Sequence, residues 1–66
     1  MSLAKVIEVL AEGKTIEQAV ENSIKDASKS VEDIKHAYVK DFQAIVENNQ
    51  VVKYRVNTKI TFVVHN

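Results

Sequence analysis

The chain has 66 residues, 45% of them hydrophobic, with one glycine, no proline and no cysteine. Nine basic side chains balance nine acidic ones, which removes the electrostatic reason to expect nucleic acid or an anionic membrane as a partner. A domain of this size buries only about 60% of its unfolded surface; with no disulfide and no His/Asp/Glu cluster at metal-ligand spacing, self-assembly is the remaining staple.

Residues 1–66 read as a single domain without a linker or low-complexity tract. No apolar run approaches the ~20 residues that span a bilayer. The start, Met1-Ser2-Leu3-Ala4-Lys5, lacks the charged-then-apolar layout of a signal peptide. The absence of cysteine fits a reducing compartment. A cytoplasmic location is the expectation.

In chain order, Ala4 to Leu10 (AKVIEVL) reads as a first strand. Ala11-Glu12-Gly13-Lys14 is expected to break it. Thr15-Ile16-Glu17-Gln18 fits a capping box, so a helix begins there. Ile16, Ala19, Val20, Ile24, Ala27, Val31 and Ile34 recur at steps of three and four, drawing one apolar stripe. Glu17, Glu21, Lys25, Lys29 and Glu32 lie off it as a solvated face. The helix is expected to end near Ser30 to Asp33.

A second strand follows from Ile34 to Val46, then Glu47-Asn48-Asn49-Gln50, then a third strand from Val51 to about Val64. Asparagine tolerates positive φ, so Asn48-Asn49 suits a tight hairpin turn. Partners across that hairpin then sum to about 97, and alternation defines two faces. One face carries Ala37, Val39, Ile45, Val52, Tyr54, Val56, Ile60, Phe62 and Val64, with Asp41, Gln43 and Thr58 as polar exceptions; it is apolar enough to lie under the helix. The other carries His36, Tyr38, Lys40, Phe42 and Val46, with Val51, Lys53, Arg55, Asn57, Lys59 and Thr61. One helix cannot cover both sides of such a sheet. The mixture of aromatics with Arg and Lys on the second face is typical of interfaces and ligand sites.

The fold class is therefore α+β in the order β-α-β-β. At this point the chain resembles the dodecins, small flavin-binding proteins. The resemblance rests on Lys5-Val6-Ile7-Glu8-Val9, Ala19 and Ala27 of the helix, Val31-Glu32-Asp33-Ile34, Ala37-Tyr38-Val39-Lys40-Asp41, Tyr54-Arg55-Val56, Lys59 and Phe62. It implies a three-stranded antiparallel sheet partly wrapped around one helix, and trimers closing into a hollow homododecamer. It also implies flavins in pairs at subunit interfaces, each stacked on a tryptophan and hydrogen-bonded at its edge by a glutamine. Along Val31-Glu32-Asp33-Ile34 the tryptophan position falls on His36; along Tyr54 the glutamine position falls on Arg55. The chain has no tryptophan, so it is similar to a branch lacking the stacking residue, one such branch being called calcium dodecin.

The candidate cofactor-binding residues are His36, Tyr38 and Arg55, with riboflavin or FMN as the flavin and a small flat aromatic ligand as the class. His36 reads as a ligand contact, a metal ligand, a group titrating near neutral pH or a histidine packed between subunits. Tyr38 supplies a ring that stacks or packs, and Phe42 reads as interface packing. Arg55 either grips a phosphate or carbonyl oxygen or pairs with a carboxylate of a neighbouring subunit. Asp41 reads as an intersubunit hydrogen bond or ion pair, or as a metal ligand only if symmetry mates supply the six or more oxygens that calcium takes. His65 is expected to fray.

Glu8 and Glu47 stand as single carboxylates. There is no nucleophile–base set, glycine-rich phosphate loop or metal motif, so the chain is read as non-enzymatic. The functional expectation is a flavin-binding or storage shell. The alternative is a shell of the same fold that has lost flavin and binds ions or serves a structural role.

Overall fold

The computed structural model describes residues 2–65. Four elements follow one another: β1 (Ser2–Gly13), α1 (Ile16–Ala27), β2 (Ile34–Glu47) and β3 (Gln50–His65). The strands form one antiparallel sheet in the order β1-β3-β2. β3 is thus central, and β1 and β2 are both edges.

The strands of 12, 14 and 16 residues are long, and the molecule measures 52 × 19 × 13 Å. A 12-residue helix is only about 18 Å long at 1.5 Å per residue. It lies over β1 and β3 and scarcely touches β2. Much of the sheet is therefore bare even on the helix side.

The helix starts as the sequence predicts. Thr15 is the N-cap in extended backbone, and its hydroxyl oxygen accepts from the Gln18 amide at 3.0 Å. The Gln18 side chain reaches back to accept from the Lys14 amide at 2.8 Å, one residue before the N-cap amide of a standard capping box. Helix and sheet meet through small residues: Ala19, Ser23 and Ala27 are buried at successive steps of four. Opposite them the alternate residues Val56, Thr58, Ile60 and Phe62 of β3 are buried. The two buried hydroxyls are paired: Ser23 donates to the Val20 carbonyl at 2.7 Å and Thr58 to the Val9 carbonyl at 3.1 Å.

Three boundaries differ from expectation. β1 does not break at Ala11 but continues to Gly13, which pairs with Tyr54. Gly13 is there for space: a Cβ would lie 2.5 Å from the Ala19 nitrogen. The helix stops at Ala27, short of Ser30. Ser28 caps it, with its hydroxyl on the Lys25 carbonyl at 2.7 Å, and Asp33 takes a left-handed φ of 58° that no helix admits. Val31 and Ile34 therefore leave the helical stripe, and Ile34 pairs with Phe62. His65 is not frayed among the described residues. It pairs with Ser2, and its Nε2 lies 2.6 Å from the Asp33 carboxylate.

The hairpin turn falls on Asn48 and Asn49, with φ of 53° and 61°, flanked by the pair Glu47–Gln50. Positive φ at both central residues is the type I′ pattern. The register sum of 97 holds for His36–Thr61 through Val39–Thr58, and again at Val46–Val51. Between these stretches, irregularities after Val39 and after Ile45 shift it to pairs such as Asp41–Asn57 and Phe42–Val56. A one-residue slip exchanges faces. Phe42 therefore stands on the helix side, opposite buried Val56, and Asp41, Gln43 and Ile45 stand on the other side, reversing the sequence assignment for all four.

Candidate functional site

The face without a helix is built as rows across the sheet, because directly paired residues project to the same side. Reading along β3, Thr61 has His36 and Val6 beside it, and Lys59 has Tyr38 and Glu8. Asn57 follows with Asp41 and Leu10, then Arg55 with Gln43 and Glu12. His36, Tyr38 and Arg55 thus share one face, as the alternation predicts. They do not converge: Tyr38 and Arg55 are two rows apart, on the order of 13 Å at 3.4 Å per residue. His36 lies one row farther. Tyr38 is 63% exposed, so most of the residue is accessible to a partner.

Arg55 is already engaged. Its Nε and Nη2 donate to Oε2 of Glu12 at 3.0 and 2.7 Å. Lys53 holds the other oxygen, Oε1, at 2.9 Å. The sequence points to a neighbouring subunit's carboxylate as the partner of Arg55; in the single chain Glu12 takes that place. Hydrogen bonds from Lys53 and then Arg55 hold the Glu12 carboxyl below its ordinary value. The Asn57 amide stands one row away, and its Oδ1 is buried without a hydrogen-bond partner. Leu10, Asp41, Gln43, Arg55 and Asn57 line a shallow depression of about 320 Å3. Its walls offer guanidinium and amide groups, a carboxylate, and one apolar side chain that is 68% exposed. That set combines hydrogen-bond donors and acceptors with one apolar contact.

Glu12, Leu10, Gln43 and Asn57 were not singled out as site residues from the sequence. Alternation from Glu8 through Leu10 reaches Glu12, but a strand that ends at Leu10 leaves Glu12 off the face. Gln43 was displaced by the slip after Val39.

A second charged cluster lies at the far end. Asp33 carries Lys35 Nζ at 2.7 Å on one oxygen and His65 Nε2 at 2.6 Å on the other. Hydrogen bonds from Lys35 and then His65 hold the Asp33 carboxyl below its ordinary value. Its carbonyl accepts from the Val63 amide at 3.2 Å. Among the described residues no group of three or more His, Cys, Asp or Glu is placed to hold a metal ion, and no helix is long and apolar enough to cross a membrane.

A β-α-β-β chain whose long sheet wraps one short helix, with a mixed aromatic and charged outer face, defines the dodecin fold. A family profile, Dodecin, matches residues 3–65, and the chain belongs to that family. Solved structures agree. The dodecin from Streptomyces davaonensis superposes with a TM-score of 0.91 at 18% identity, covering 98% of this chain and 97% of that one. The Thermus thermophilus protein tt0972 gives 0.91 at 18% identity, covering 100% and 98%. The Streptomyces coelicolor dodecin gives 0.90 at 24% identity, covering 98% and 94%. No curated protein matches the sequence.

Proposed function

We propose that this protein is a non-catalytic flavin-binding or storage protein that assembles as a homododecamer and holds its ligand between subunits, in the cytoplasm. The observation that carries this reading is the coincidence of family and face. The two positions where dodecins are expected to stack and hydrogen-bond a flavin are His36 and Arg55, and both fall with Tyr38 on the sheet side that no helix covers. Their separation within one chain fits a ligand enclosed by a second copy. Riboflavin or FMN is the ligand class, with Tyr38 and His36 contacting the ring and the Arg55 row its polar edge. Base–aromatic stacking is worth ~1–3 kcal/mol per base, and imidazole offers less area than indole. Affinity is accordingly expected to fall below that of tryptophan-containing dodecins.

The test is an absorbance spectrum of protein freshly purified from cells, read beside its mass by light scattering. A yellow protein near twelve times 7.4 kDa supports the reading. His36→Trp is expected to raise riboflavin affinity, followed by fluorescence quenching; no gain would show that the pocket depends on more than that ring. A colourless shell of the same mass that ignores riboflavin supports the second reading, a dodecin shell that has lost flavin and binds ions or is structural. The absence of tryptophan and the capture of Arg55 by Glu12 favour that alternative.

A further inference from the structure

On the uncovered face two cations, Lys53 and Arg55, converge on one carboxylate, that of Glu12. A second carboxylate, Asp41, lines the same depression as Arg55. The local charge is therefore balanced, although arginine beside lysine looks in sequence like a phosphate grip. Two of the five Arg55 N–H donors are committed to Glu12 Oε2, at 3.0 and 2.7 Å, and that carboxylate compensates the charge, so a phosphate gains the full guanidinium charge only by displacing Glu12. An ion pair this exposed is individually weak. Displacement nevertheless exchanges one charge-assisted bond set for another, and it leaves Glu12 held by Lys53 alone beside an incoming anion.

We infer that Glu12 is a specificity-determining residue of this face: by holding Lys53 and Arg55 it makes the depression read neutral, hydrogen-bonding ring edges and draw no advantage from a phosphate on the ligand. Where the ligand is a flavin this inference rests on the function proposed above, but its phosphate arm stands without it. Glu12 works through Arg55 and Lys53 and does not itself need to touch the ring.

The experiment uses the assembled protein and three substitutions, with riboflavin and FMN followed by fluorescence quenching. Inorganic phosphate is followed by 31P line broadening. The parent protein is expected to bind the two flavins within about twofold of each other. Glu12→Gln, which keeps the size of the side chain and frees two cations, is expected to favour FMN by about five- to tenfold, the range for a partly exposed charge-assisted contact. It should broaden phosphate where the parent does not. Asp41→Asn adds the same unit of charge without releasing Arg55, so its effect should be clearly smaller; an equal effect would overturn the role of Glu12. Arg55→Gln, made in the parent, should leave the FMN-to-riboflavin ratio unchanged whatever it does to absolute affinity. If that substitution costs FMN selectively, Arg55 was reading phosphate all along and the inference fails, even if Glu12→Gln does not fold. Phosphate that broadens equally with parent and Glu12→Gln, or with neither, also overturns it. If no flavin binds either protein while phosphate binds only Glu12→Gln, the ligand proposal fails and the charge filter stands.

Discussion

Asn57 illustrates how one side chain can report on a site. It sits at mid-strand in β3 between Leu10 and Asp41, and its Oδ1 is enclosed without a donor. An unmet buried acceptor costs about 1–3 kcal/mol, so Asn57→Leu, which keeps the branching at Cγ but is larger, is expected to raise stability by up to that amount, less any overpacking, in urea denaturation of the ligand-free protein. Unchanged or lower stability would mean that the assembled protein supplies a donor to the amide. The paired carboxylates make an opposite kind of statement. Glu12 and Asp33 are both held below their ordinary values of 4.5 and 3.8 by hydrogen bonds from Lys53 and Lys35 first, then from Arg55 and His65. A lowered folded value means that the unfolded chain binds the proton more readily. The contribution is thus fully present above the ordinary carboxylate range and is lost as pH falls through 4.5 and 3.8 towards the lowered values. Denaturation midpoints measured from pH 7 down to pH 3 should fall less steeply in Glu12→Gln and Asp33→Asn than in the parent. Parallel curves would show that these pairs are broken in solution.

At the scale of elements, the contact between β1 and the start of α1 depends on a missing side chain. A Cβ on Gly13 would sit 2.5 Å from the Ala19 nitrogen, 2.9 Å from the Gln18 carbonyl carbon and 3.0 Å from the Ala19 Cα. All three are backbone atoms, which cannot swing aside. Gly13→Ala is expected to destabilise by about 1–3 kcal/mol, the cost of overpacking, whereas Thr15→Ala, which removes only the cap, should cost about 1 kcal/mol. A Gly13→Ala midpoint no lower than that of Thr15→Ala would mean that the helix shifts freely on the sheet.

This junction also marks where the sequence is legible and where it is not. Thr15 and Gln18 announce the cap, and Asn48-Asn49 announce the turn, because each acts through its nearest neighbours. Gly13 looks like a breaker, although its role is to let a later segment approach. The slip after Val39 leaves Lys40 without a partner on β3, and nothing in the alternation marks it. Phe42 is as apolar as an outer-face interface residue would be, and Asp41 and Gln43 become visible as outward residues only once the pairing with Asn57 and Arg55 is known. His36, Tyr38 and Arg55 were placed on one face correctly because His36 and Tyr38 precede the slip. The partner of Arg55 was out of reach because it lies 43 positions away on a strand expected to have ended.

At the scale of the whole molecule, the buried apolar residues among those described are Ala19, Ala27, Val56, Ile60 and Phe62. That is a small core for a sheet 52 Å long. Val6, Leu10 and Tyr38 are exposed on the outer face, Val39 and Phe42 on the helix side beyond the helix, and Val46, Val51 and Val52 towards the hairpin. Apolar surface on both sides of one sheet has no means of burial within a single chain of this length. Burial between copies contributes roughly 25 cal/mol per Å2, and it makes folding depend on concentration by mass action. Thermal midpoints are therefore expected to rise with protein concentration. Phe42 is the sharpest probe, since it is 56% exposed and lies where α1 no longer covers the sheet. Phe42→Asp should lower both the mass seen by light scattering and the thermal midpoint, while Glu21→Ala, on the solvated side of the helix, should change neither. A Phe42→Asp protein that remains folded and monomeric at micromolar concentration would show that the chain holds itself together, and with it the argument for assembly from core size would fall.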